Sequence, residues 1–148
     1  MVVQIEDYLK AGKIAAEVRE MVRVKDWVGK TVYEICEEVE GEIKKRGAKC
    51  AFPVNASINE VAAHYTAEPN DPITIKDTDL VKIDLGAQIN GYIADTAVTV
   101  CYDAQFDGLV QAAEEALSNA MSMVKTGVKA SDIGRTIEST IKQRGFKP

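Results

Sequence analysis

From Ile5 to Val24 the apolar residues Tyr8, Ala11, Ala15, Val18 and Val22 recur at helical spacing among polar ones, which predicts an amphipathic helix. Gly12 lies inside that stretch and lowers its helix propensity. A second helix is predicted to open at Thr31, because its hydroxyl can cap while Glu34 reaches back in a capping box. Ile35, Val39 and Ile43 give this helix its apolar face, and Gly47 stops it. The segment AFPVNASIN then breaks the helical pattern and reads as extended chain. Further on the period changes to two. Ile83, Leu85, Ala87 and Ile89 alternate up to Asn90-Gly91, and Ala94, Val98 and Val100 continue on the far side. Asn-Gly between such runs predicts a β-hairpin, since a type I′ turn needs positive φ at both central residues. The chain then returns to helix. Leu109, Ala112, Ala113, Ala116, Ala120 and Val124 define one face ending at Gly127; Ile133, Ile137 and Ile141 define another ending at Gly145.

The helices carry a repeat. With residues 34–48 placed over 132–146, Ile35, Val39, Glu40, Ile43, Lys44, Arg46 and Gly47 fall on Ile133, Ile137, Glu138, Ile141, Lys142, Arg144 and Gly145. Basic residues followed by glycine are also general helix-stop chemistry, so chance is the alternative. A true duplication makes residues 1–102 a first α/β half-repeat and 103–148 the helical start of a second, both within a single incomplete domain, 1–148. The second copy's strands, and any ligands they carry, are then missing from this chain.

The hairpin holds the candidate chemistry. With Asn90-Gly91 as its turn, Ile89 faces Tyr92, Gly86 faces Asp95 and Asp84 faces Ala97. Asp84 and Asp95 then share the face opposite the apolar one, as diagonal neighbours about 7–8 Å apart at the backbone. Two such carboxylates are ionised at neutral pH and repel. A pair of divalent ions bridged by a carboxylate relieves that repulsion, whereas a solvent-facing, hydrated pair is the plain alternative. A different loop length would shift the register by one and separate the two side chains.

Composition narrows the function classes. A chain of 148 residues with 46% hydrophobic content can bury a core, which excludes disorder. A formal charge of -5 with no basic run argues against a nucleic-acid partner. No apolar run approaches eighteen residues, and the start MVVQIEDYLKAGK is acidic where a signal peptide is basic, so no membrane role and a cytoplasmic location are expected. Cys36, Cys50 and Cys101 are odd in number and lack CxxC spacing, which points away from a disulfide framework or a thiolate zinc site. Trp27, just before Gly29, is expected to pack at a helix end.

Two longer motifs, FPVNASINEVAAHYT at 52–66 and VKIDLGAQINGYIADTAVTV at 81–100, resemble those of type II methionine aminopeptidases in the short archaeal form. The resemblance runs over essentially the whole chain and covers about the first half of such an enzyme. It implies the α/β (α+β) pita-bread fold, here as a truncated N-terminal half with an antiparallel hairpin and flanking helices. It further implies a two-metal centre of five ligands, of which two aspartates fall on Asp84 and Asp95 and three have no counterpart. His64 matches the histidine that contacts substrate near the scissile bond, and Phe52 matches a residue lining the pocket for the methionine side chain. The cofactors implied are two divalent ions, cobalt, manganese, iron or zinc, with no stable metal site expected in this fragment by itself. The implied activity is removal of N-terminal methionine from new polypeptides with a small second residue. The fragment is expected to be inactive alone, and to self-associate where the missing C-terminal half belongs. The alternative is a non-catalytic module of the same fold that binds protein or RNA.

Overall fold

The computed structural model describes residues 5–148, in two compact units that meet between Tyr102 and Asp103. In the first unit, α1 spans Ile5–Val24 and α2 spans Val32–Lys45. The buried stripe of α1 is Ala11, Ile14, Ala15, Val18 and Val22. Tyr8 does not belong to it; half-exposed, it meets the Tyr92 ring edge-on at 4.8 Å. The predicted capping box starts α2: Thr31 Oγ1 accepts from Glu34 N at 3.1 Å, and Thr31 N donates to Glu34 Oε2 at 2.8 Å. Trp27 does more than close a helix end. Its side chain is fully buried, with Nε1–H donating to Val22 O at 3.0 Å, so it is core.

A small antiparallel sheet completes this unit. Its strands are β1 (Lys49–Cys50), β2 (Asn55–Ile58), β3 (Leu80–Ile89) and β4 (Tyr92–Cys101). The central strand is β3: β4 pairs along the whole of one edge, while β2 and β1 share the other, opposite residues 81–84 and 87–88. Asn90 and Gly91 both take positive φ, +51° and +87°, as the type I′ turn demands. Ile89 pairs with Tyr92, Gly86 with Asp95 and Asp84 with Ala97, which is the register read from the sequence. One face of the sheet, with Ile83, Leu85, Ala87, Val98 and Val100, joins the helices in a single apolar core. Ile83 and Leu85, fully buried, contribute about 1.5–3 kcal/mol each. The other face is open to chemistry.

The second unit is a helix pair, α3 (Asp107–Met123) and α4 (Ala130–Gln143), entered through a short 3-10 turn whose first residues Asp103 caps. Ala112, Ala116 and Ala120 are buried, but Leu109, Ala113 and Val124 of the predicted face are exposed. The buried stripe is narrow because it is made of alanines, and small side chains let helices approach closely; Asn119 Nδ2 donates to Thr140 Oγ1 across the pair at 3.2 Å.

Local geometry recurs between the units. Moving 98 residues along the chain carries Val32–Lys45 onto Ala130–Gln143, the bounds of α2 onto those of α4. Gly29 and Gly127 have φ of +83° and +85°, as do Gly47 and Gly145. The turn bond from Lys30 N to Trp27 O, 3.0 Å, is matched by Val128 N to Lys125 O, 3.1 Å. At the helix ends, Arg46 N to Glu42 O and Arg144 N to Thr140 O are both 3.3 Å. No helix among the described residues is long and apolar enough to cross a membrane.

Candidate metal and substrate site

Asp84 and Asp95 stand on adjacent strands of the hairpin, on the face away from the core, because β3 and β4 pair in the register that sets Asp95 opposite Gly86. Burial raises the Asp84 carboxyl above its ordinary 3.8, and the charge of Asp95 and a hydrogen bond with it raise it further; His64 opposes the shift. A carboxyl whose pKa is raised by folding destabilises the fold as pH climbs from its ordinary value through the raised one. Two neighbouring carboxylates repel one another when both are ionised. That is the donor chemistry a divalent ion relieves, and both carboxylates fit as hard oxygen ligands. The set is incomplete: among the described residues no three His, Cys, Asp or Glu side chains gather to hold a metal.

His64 reaches this neighbourhood on a loop that folds back along β2. Ala56 N donates to Tyr65 O at 2.9 Å, Tyr65 N to Ser57 Oγ at 3.2 Å and Thr66 Oγ1 to Asn55 Oδ1 at 2.8 Å. Since Asn55 and Ser57 pair with Asp84 and Lys82, these bonds tie the loop to the strand residues beside the carboxylates. At its other end Asn59 is fully engaged. Its side chain donates to Asp79 Oδ1 and accepts from Leu80 N, each at 2.9 Å, while its carbonyl accepts from Lys82 Nζ at 2.6 Å. Between these anchors His64 adopts φ +67°, in the left-handed region that few residues other than glycine enter and in which Asn, Asp and His are the more frequent. The imidazole is exposed, and it lies close enough to Asp84 to pull that carboxyl's pKa down against the other influences.

Phe52 lies in the bend between β1 and β2, where Pro53 interrupts the edge strand. A Cβ built on Gly86 would collide with Phe52 Cε1 and stand 3.0 Å from Phe52 Cδ1. Gly86 alternates with Asp84 and Lys82, so the Phe52 ring lies on the face that carries the two aspartates. All four residues singled out in the sequence thus converge. The pattern gave no notice that Asn59, Asp79 and Lys82 hold the loop, or that Gly86 touches the Phe52 ring. A cavity of about 360 Å³ lies nearby, lined by Ile58, Asn59, Val61, Tyr65, Ile73 and Asp79, and it includes none of the four predicted residues.

A hairpin with paired carboxylates on one face, helices on the other and a histidine loop at its edge is the arrangement of one half of a pita-bread fold. Residues 6–148 match metallopeptidase family M24, and the chain belongs to that family. It is 48% identical over 144 residues to the methionine aminopeptidase of Pyrococcus abyssi, a match that takes in 97% of this chain and 49% of that protein. It is 42% identical over 158 residues to the methionine aminopeptidase of Methanothermus fervidus, covering 97% of this chain and 84% of that one. The crystal structure of methionine aminopeptidase from Thermotoga maritima superposes with a TM-score of 0.87 at 31% identity, over 97% of this chain and 61% of that chain. The chain spans about half the length of most of the curated relatives it matches, 48–50% for seven of them.

Proposed function

We propose that this chain is the N-terminal half of an aminopeptidase that removes methionine from the start of newly made polypeptides whose second residue is small, in the cytoplasm. The observation that carries the reading is the placement of Asp84 and Asp95 on one open sheet face with His64 and Phe52 beside them. Residues 103–148 are then the helical start of a second half, and that half supplies the remaining ligands. Asp84 and Asp95 would hold two divalent ions. Bound there, such ions supply water activation near neutral pH.

The remaining roles belong to side chains of this chain. Phe52 offers an apolar wall for the substrate's methionine side chain. His64, held by its two loop anchors, points an imidazole donor at the oxygen of the first peptide bond, where negative charge grows as the carbonyl is attacked. Because that charge exists only on the way to the tetrahedral state, the donor lowers the barrier more than it strengthens binding.

Turnover of a Met-Ala-Ser peptide with manganese or cobalt tests the reading. The 148-residue chain alone should show little or none, since two carboxylates cannot fix two ions in an open site. The full-length protein should release methionine, and His64→Ala in it should lower kcat by about 10²–10³-fold with metal content unchanged. A full-length protein that leaves the peptide intact would sink the reading; metal loss in the His64 variant would move that residue into the ligand set.

A further inference from the structure

Gly86 occupies the middle of β3, where glycine weakens a strand, yet its backbone does not take the positive φ that only glycine tolerates easily. Space supplies the reason. Of the ten glycines, Gly86 is the one at which a side chain would overlap a neighbour: its Cβ would collide with Phe52 Cε1 and press on Phe52 Cδ1 and Ala51 Cβ, each at 3.0 Å. At the other nine, a Cβ would find open space or ordinary contact.

The backbone that carries the ring is held in place. Ala51 N donates to Gly86 O at 2.9 Å, and Cys50 pairs with Ala87, so the backbone leading into Phe52 is pinned to the same stretch of β3 that the ring covers. Gly86 is directly opposite Asp95 and two residues from Asp84. The ring therefore rests on the sheet beside the positions that carry the two carboxylates.

We propose that Gly86 is a specificity-positioning residue: by lacking a side chain it seats the Phe52 ring flat against the carboxylate-bearing face, so that the apolar wall and the metal-binding groups meet without a step. The inference rests on the function proposed above and names what that function leaves open, which is how the chain sets the distance between side-chain recognition and bond cleavage. A methyl group at residue 86 would lift the ring by about 1 Å, and a displacement of that size in a substrate-orienting group costs up to about 10²-fold.

The experiment is a two-by-two set in the full-length protein: wild type, Gly86→Ala, Phe52→Leu and the double variant, assayed on Met-Ala-Ser with metal content measured in each. Gly86→Ala should raise KM by about 10–100-fold at unchanged metal content. In the Phe52→Leu background the same change should move KM by less than about 3-fold, because Cε1, the ring atom with which the new methyl would collide, is gone and only the milder contacts remain. An equal rise in both backgrounds overturns the proposal, as does a loss of metal in Gly86→Ala. Should Gly86→Ala fail to fold, recovery of a folded double variant supports the contact, and its failure as well overturns it. The NMR shift of the Gly86 α-protons separates this from the functional reading: a ring-current displacement that vanishes in Phe52→Leu is expected. A displaced shift in a wild-type protein with no turnover would show the function to be wrong and the specificity role to fall with it, while turnover without a displaced shift would overturn the proposal alone.

Discussion

The helix pair α1–α2 and the helix pair α3–α4 are built with the same turns, yet they end in different surroundings. The glycine with positive φ before the second helix, the bond across that turn, the bounds of the helix and its final glycine all recur 98 residues apart. In α2 the apolar positions Ile35, Val39 and Ile43 are fully buried. Their counterparts in α4, Ile133, Ile137 and Ile141, are half-buried. Backbone geometry follows the local sequence wherever it occurs, whereas burial depends on what the rest of the chain supplies. In the first unit four strands supply it; the second unit has helices only.

The sharpest way to break the comparison is to cut the same side chain from both helices. Ile43→Ala should destabilise the chain by about 2–5 kcal/mol, since it opens a cavity in a closed core. Ile141→Ala should cost about 1 kcal/mol or less, because that side chain has surrendered only part of its surface. Urea unfolding followed by circular dichroism measures both. Equal losses would mean that the second helix is as well covered as the first.

How far each region could be read from the sequence follows the same division. The α2 capping box, the Asn90-Gly91 turn and the register that aligns Asp84 and Asp95 were legible because each is set by residues close together in the chain. Exposure was harder. Tyr8, Leu109 and Val124 fit the helical period of their faces but lie outside the buried stripes, since periodicity gives a direction and not the width of what covers it. The seat of Phe52 on Gly86 gave no signal at all, for it joins residues 34 positions apart through a bend with no period. His64 stood out as a lone histidine, but the bonds that place it, through Asn59, Asp79 and Lys82, depend on a loop closing onto a strand that follows it.

A smaller effect separates the two helix starts. Thr31 caps α2 through its hydroxyl, while the residue 98 positions later, Lys129, makes no side-chain cap to α4. Thr31→Ala should therefore cost about 1 kcal/mol, and Lys129→Thr should gain about 0.5 kcal/mol, by completing in α4 the cap that α2 already has. Thermal melts of the two variants check this; a destabilising Lys129→Thr would show that the second start is held by something other than a cap.

The finest distinction is one of pH. Glu34 closes the α2 box by accepting from the backbone N–H of Thr31, and that bond, followed by the one from the Thr31 hydroxyl, holds its carboxyl below the ordinary 4.5. A carboxyl lowered by folding contributes its stability above its ordinary pKa and loses it as pH falls through the lowered value. Acid should thus loosen the first turn of α2 only below the normal glutamate range. Thr31→Ala removes the hydroxyl but keeps the N–H, so the Glu34 pKa should rise part of the way back and no further. An NMR titration of the Glu34 side chain in both proteins distinguishes the two donors. A full return to 4.5 in the variant would assign the whole shift to the hydroxyl, and make the capping box of α2 a one-sided contact that a single threonine could transplant to α4.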